Sequence, residues 1–335
     1  MQQLFSYITL CFFAILLSIS LRSQTAQELA RVGITVSNLE QAIQFYENVL
    51  SFKHTGSYQL NKASTKSLFG TKGIVKIATL QLGDEAIELL EFSNAGRPVP
   101  ADSRSSDLWF QHIAIVVADM EAAFQHLRRA KVQFVSTAPQ VLPEYLPAAA
   151  GIEAFYFRDP DGHNLELIHF PKGKGNEKWQ LPTDQLFLGI DHTAIGIQDT
   201  DESTRFYQNL LGLKVAGHSE NYGTEQEHLN QVFGAHLIIT GLQAQQGFGL
   251  EFLQYLAPPG GRPYPAGSKA NDRWHWHTTI FVPHTDARTT QAQGKKAATV
   301  FTHPTWGEVN ASLIRDPDGH AVLMMKHHNP NKHNP

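Results

Sequence analysis

A chain of 335 residues with 42% apolar content has the length for about two domains and a composition suited to ordinary globular folding. Its formal net charge of −4 argues against nucleic acid as a partner. Seventeen histidines against a single cysteine is the more informative imbalance, and it leaves the fold to be stabilised by packed cores rather than disulfides.

Residues 1–24 lack acids, carry an apolar run from Ile8 to Ile19 and end in small polar residues, the pattern of a secretory signal peptide, which predicts a secreted or periplasmic protein. The alternative is a retained membrane anchor. Cys11 lies within this segment, so the mature chain would hold no cysteine. From Leu29 to Val36 the residues alternate as a strand, and Ser37 or Asn38 can cap a helix that carries Ile43, Tyr46, Val49 and Leu50 on one face. Strand text follows at Ile87–Phe92. A connector then holds Gly96-Arg97-Pro98-Val99-Pro100, and a histidine-bearing strand follows it, Trp109-Phe110-Gln111-His112. The helix after Asp119 is patterned by Met120, Ala123, Phe124 and Leu127. Arg158-Asp159-Pro160-Asp161-Gly162-His163 then reads as a hairpin turn, in which proline sets φ, aspartate bonds back to the backbone and glycine takes the left-handed position.

The same text returns. Arg205-Phe206-Tyr207-Gln208-Asn209-Leu210-Leu211 repeats Gln44-Phe45-Tyr46-Glu47-Asn48-Val49-Leu50, and Leu250–Tyr255 repeats Ile87–Phe92. Gly261-Arg262-Pro263 repeats the connector, Trp274-His275-Trp276-His277 the histidine strand, and Arg315-Asp316-Pro317-Asp318-Gly319-His320 the turn. A self-similar chain of this kind is a duplication, each half holding two strand-helix-strand units. The helix expected near Asp286 to Lys296 is polar and weakly patterned. Residues 171–185 have linker composition, and the tail 329–335 reads as disordered.

Four βαβββ units with a histidine opening strands and a glutamate closing them, together with Phe-Tyr-x-Asn-x-Leu and Asp-Pro-Asp-Gly-His-x-x-Glu-Leu, closely resemble the vicinal oxygen chelate superfamily, which includes glyoxalases, extradiol dioxygenases and bleomycin-resistance proteins. The resemblance implies an α+β chain of four modules paired into two open barrel-like domains, 28–170 and 186–328. It further implies a divalent transition metal (Fe, Mn, Ni or Zn) and a small-molecule substrate with adjacent oxygens. Up to four ligands per half are implied, at Arg31, Glu88, His112 and Glu166 in the first half and at His192, Glu251, His277 and Leu323 in the second. Arg31 puts a permanent cation where the family often has histidine, and Leu323 cannot ligate. The second half therefore supplies the expected open metal site, His192, Glu251 and His277, with Glu88, His112 and Glu166 the second choice. His275, on the same face of its strand as His277, is the candidate acid or base at the cavity mouth. His163 and His320 are expected to brace their turns, and Arg97 and Arg262 to lie at the surface. The functions implied are a metal-dependent lyase or isomerase, or a ring-cleaving dioxygenase. A metal-free protein that sequesters a small molecule is the alternative.

Overall fold

In the computed structural model, residues 26–282 and 298–328 are described. The expected signal segment, the polar helix near Asp286 to Lys296 and the tail lie outside them. The first module runs β1 (Glu28–Thr35), α1 (Leu39–Leu50), β2 (Lys53–Leu60), α2 (Lys62–Phe69), β3 (Val75–Leu82) and β4 (Glu85–Phe92). The second runs β5 (Gln111–Val117), α3 (Met120–Arg129), the short β6 (Gln133–Phe134) and β7 (Gln140–Val141), then β8 (Glu153–Arg158) and β9 (Asn164–His169). In the third, β10 (Phe187–Ile197), α4 (Thr200–Asn209), β11 (Lys214–Tyr222), α5 (Thr224–Asn230), β12 (His236–Gln243), β13 (Gln246–Gly247) and β14 (Gly249–Ala257) follow one another. The fourth contributes β15 (Trp276–Phe281), β16 (Thr299–His303), β17 (Gly307–Arg315) and β18 (Ala321–His327).

Local chemistry starts these elements as the sequence predicts. The Asn38 carboxamide oxygen accepts from the Gln41 N–H, and Asp119 and Asp199 cap α3 and α4 in the same way. In the first turn Asp159 Oδ1 accepts from the Asp161 and His163 N–H groups at 2.9 Å, and Gly162 sits at φ 93°. The second turn repeats this with Asp316 and Gly319 at φ 101°. The turn and the Phe-Tyr helix motif also bind each other: Tyr46 donates to Asp159 at 3.2 Å, and Tyr207 donates to Asp316 at 3.1 Å.

The modules pair differently from the expected first-with-second and third-with-fourth arrangement. One nine-stranded sheet joins the first and fourth modules through antiparallel β1 and β15, and another joins the second and third through antiparallel β5 and β10. The physical reason lies in the connectors, which cross between the halves. A Cβ on Gly96 would fall 2.1 Å from the Asn271 carbonyl oxygen, and one on Gly261 would fall 2.0 Å from that of Ser106, so only glycine lets these backbones meet. Each adjoining arginine then grips the other half's aspartate. Arg97 donates to Asp272 at 2.8 Å and lies over Trp274, while Arg262 donates to Asp107 at 2.7 Å and lies over Trp109. The two arginines lie at the surface as expected, and each also clasps the other half's connector.

Between the sheets lies one core to which all four modules contribute, with Leu29, Tyr46, Phe155, Leu167, Tyr207, Phe252, Val322 and Met324 among its members. Each such side chain contributes roughly 1.5–3 kcal/mol by leaving water. The segment 171–185, expected to be a linker, packs onto this body. Its 3₁₀ turn Glu177–Gln180 brings Lys178 onto Glu85 and Trp179 onto Asp191.

Candidate metal centre

Strand register places the four predicted ligand positions of each sheet. In every module the last-strand position pairs with the residue two beyond the first-strand position: Glu88 with Gly33, Glu166 with Ala114, Glu251 with Ala194, and Leu323 with Thr279. Because the second and third modules share a sheet, their four positions converge as His112, Glu166, His192 and Glu251. The first and fourth modules bring together Arg31, Glu88, His277 and Leu323.

The expected triad of His192, Glu251 and His277 is therefore divided between two sheets, as is the second choice of Glu88, His112 and Glu166. In the sheet of the second and third modules, Glu166 Oε2 lies 2.9 Å from His112 Nε2 and 3.6 Å from His192 Nε2, and Glu251 Oε2 lies 3.3 Å from His192 Nε2. Among the described residues, His112, Glu166 and His192 form a group whose ligand atoms all lie within 4.8 Å of one another. Both Nε2 atoms are buried and make no hydrogen bond of acceptable geometry despite these short separations. Donors that converge on a common point without bonding one another fit a cation between them. Two imidazoles and two carboxylates are a borderline set that suits Zn(II), Ni(II), Fe(II) or Mn(II).

Electrostatics holds this set in place. Burial opposes the charge on Glu166, but the His112 and His192 imidazoles overcome it and keep the carboxyl down at about 2. Desolvation lowers His112, and Glu166 offsets this only in part. Desolvation also opposes charge on His192, yet Glu251, Asp191 and Glu166 raise it well above the usual imidazole range. The Glu251 carboxyl is raised by desolvation. His192 Nδ1 lies 3.0 Å from Asp191 Oδ2, and the Trp179 indole N–H donates to Asp191 Oδ1 at 2.8 Å. A cavity of about 330 Å³ opens beside the four side chains, with Ile168, Phe170, Leu229 and Leu253 among its apolar walls.

The other sheet has filled the equivalent space. Arg31 donates to Glu88 at 3.0 Å and to Thr305 at 2.9 Å, and its guanidinium lies 4.2 Å from the Trp306 ring centre. His303 Nε2 lies 2.9 Å from Glu88, and the Tyr58 hydroxyl donates to the same carboxylate at 3.3 Å. Burial would raise Glu88, and His303 and Arg31 together hold it below its usual value. Leu323 packs in an apolar cluster with Phe69, Phe281 and Met325. Burial alone lowers His277 to about 4. His275 does not stand at a cavity mouth. It is 3% exposed, with Phe69 and His277 as ring neighbours, and desolvation depresses it well below the imidazole range. The His163 ring does brace its turn, with Nδ1 2.7 Å from Asp159 Oδ2, whereas the His320 ring lies 3.0 Å from the Tyr264 hydroxyl instead; each also reaches across the molecule, to the Arg273 and Gly196 carbonyls at 2.6 Å.

Paired βαβββ modules whose shared sheet carries imidazoles on first strands and carboxylates on last strands define a class of metal-chelating fold. The chain belongs to the Glyoxalase/Bleomycin resistance protein/Dioxygenase superfamily, whose family model matches residues 28–167 and 189–324. Among characterised relatives, a 2-epi-5-epi-valiolone epimerase from Actinomyces sp is 32% identical over 149 residues, 42% of this chain and 79% of that protein. Glyoxalase I of Saccharomyces cerevisiae is 23% identical over 232 residues, 65% of this chain and 64% of that protein. The fold resembles the crystal structure of glyoxalase I from Zea mays, with a TM-score of 0.58 at 16% identity over 91% of this chain and 94% of that one.

Sequence reasoning had all four of these residues in hand but in the wrong partnership. One signal could have corrected it. Pairing the second module with the third completes a four-ligand set, whereas pairing within halves leaves each set one residue short.

Proposed function

We propose that the chain is an exported metalloenzyme that moves a proton on a carbon beside a carbonyl, in a small substrate with two adjacent oxygens, as an isomerase, epimerase or lyase. The observation that carries this reading is the pair of buried, unbonded Nε2 atoms of His112 and His192 converging on Glu166 beside an open cavity. His112, Glu166, His192 and Glu251 would hold a divalent cation, which when bound would supply Lewis acidity to the substrate's two oxygens. The chain's own residues divide the remaining work. Glu166, its side chain 6% exposed, is locked between the imidazoles, whereas the Glu251 side chain is 30% exposed and faces the cavity. Glu251 is accordingly the carboxylate that accepts and returns the proton at its Oε atoms.

A second carboxylate in the set favours proton transfer over ring cleavage, because it supplies a base beside the substrate. Simple sequestration gives no reason for two buried imidazole nitrogens that face carboxylates without a well-formed hydrogen bond to them. The export of the protein rests on the composition of residues 1–24.

Metal analysis of purified protein supplied with Fe, Mn, Ni and Zn is expected to find one equivalent. His112→Ala and His192→Ala should abolish it, and His277→Ala should leave it intact. Glu251→Gln should lower turnover about 10²- to 10⁴-fold, read as deuterium uptake beside the carbonyl of a hydroxyketone in heavy water. Wild-type protein that retains no metal under any of these supplies would sink the reading.

A further inference from the structure

The same cavity has a second polar feature that the metal chemistry does not use. Asn221 on β11 and Gln226 on α5 line it and are 3% and 2% exposed. They begin a chain of buried carboxamides. Asn221 Nδ2 donates to Gln226 Oε1 at 3.1 Å, Gln226 Nε2 donates to Asn230 Oδ1, and Asn230 Nδ2 donates to the Tyr255 hydroxyl at 2.7 Å. Every link is matched until the cavity end, where Asn221 Oδ1 is buried with no partner. A satisfied buried network that stops at one open acceptor is poised for a donor from outside. With the carboxamides oriented this way, a hydroxyl can donate to it, whereas an ionised carboxylate or phosphate cannot. Among the described residues no lysine or arginine lines the cavity, so nothing there pairs with a distal anionic group.

We propose that Asn221 is a specificity-determining residue and that the substrate is an uncharged hydroxylated ketone or aldehyde. Its adjacent oxygens face the four metal-ready side chains, and a further hydroxyl donates to Asn221 Oδ1. This rests on the metalloenzyme reading above.

The test uses cobalt-loaded protein and three small probes that share a hydroxyketone end. Hydroxyacetone has no distal group, erythrulose has distal hydroxyls, and hydroxypyruvate has a carboxylate. Binding is read from the visible spectrum of bound cobalt, and exchange beside the carbonyl is read by NMR in heavy water. Erythrulose is expected to bind on the order of tenfold or more tighter than hydroxyacetone, with hydroxypyruvate the weakest. Asn221→Leu should erase the erythrulose advantage and leave both hydroxyacetone binding and the cobalt spectrum of the free protein unchanged. If this variant does not fold, the wild-type ranking of the three probes decides alone. Hydroxypyruvate binding best, or Asn221→Leu weakening erythrulose and hydroxyacetone equally, overturns the assignment while leaving the metalloenzyme reading standing. Failure to retain cobalt, or cobalt blind to all three probes, overturns both.

Discussion

His163 shows how one side chain can serve both a turn and the whole assembly. Its Nδ1 donates to Asp159 at 2.7 Å and its Nε2 donates to the Arg273 carbonyl at 2.6 Å, so both ring nitrogens act as donors and the ring is cationic. Burial works against that charge, and Asp159, aided by Asp161, overcomes it and raises the pKa above the ordinary 6.5. A pKa raised on folding contributes stability that is fully present below the unfolded value and is lost as pH rises through the folded one. His163→Gln is therefore expected to cost about 1–3 kcal/mol in urea unfolding near pH 6, with the gap to wild type narrowing toward pH 9. A gap that widens with pH would show that the ring is neutral in the folded protein.

At the scale of the element, the 3₁₀ turn between the halves acts on the candidate metal centre. The relay from Trp179 through Asp191 to His192 Nδ1 fixes the ring so that Nε2 faces Glu166. Outer partners of this kind tune metal retention by about 10- to 100-fold. Asp191→Asn and Trp179→Phe should weaken zinc binding within that range in competition with a chelator while the fold is kept, and an unchanged affinity in Asp191→Asn would discard the relay. Composition could not reveal this element, because Pro171-Lys172-Gly173-Lys174-Gly175 reads as a flexible spacer and the contacts of Trp179 are made only in the folded chain. What the sequence did show was local. Asparagine and aspartate caps, the alternation of β5 and the Asp-Pro-Asp-Gly-His turns are set by neighbours a few residues apart, and they put each ligand position in its correct register. Which module zips to which is decided by contacts between residues far apart in the chain, such as Gly96 against Asn271 and Arg97 against Asp272. The only trace of these in the sequence is that each repeat carries both an arginine and the aspartate its counterpart needs.

Across the whole molecule, the crossed connectors decide which sheet can chelate. Duplicated modules supply eight equivalent positions, and the crossing gathers four donors in the sheet of the two middle modules (the middle sheet) while leaving an arginine and a leucine in that of the first and fourth (the outer sheet). There Arg31 is the cation that neutralises the buried Glu88, which left unpaired at that depth would cost several kcal/mol. If this substitution is what separates the sheets, restoring the donor chemistry should restore binding. Arg31→His combined with Leu323→Glu places two imidazoles and two carboxylates at positions whose strand register already matches that of the middle sheet. The double variant is expected to bind two equivalents of zinc where the wild type binds one, with the added equivalent lost on His277→Ala and the original one lost on His112→Ala. A folded double variant that still binds one equivalent would mean that the packing of Phe69, Phe281 and Met325 around position 323, rather than the donor set, closes the outer sheet to metal.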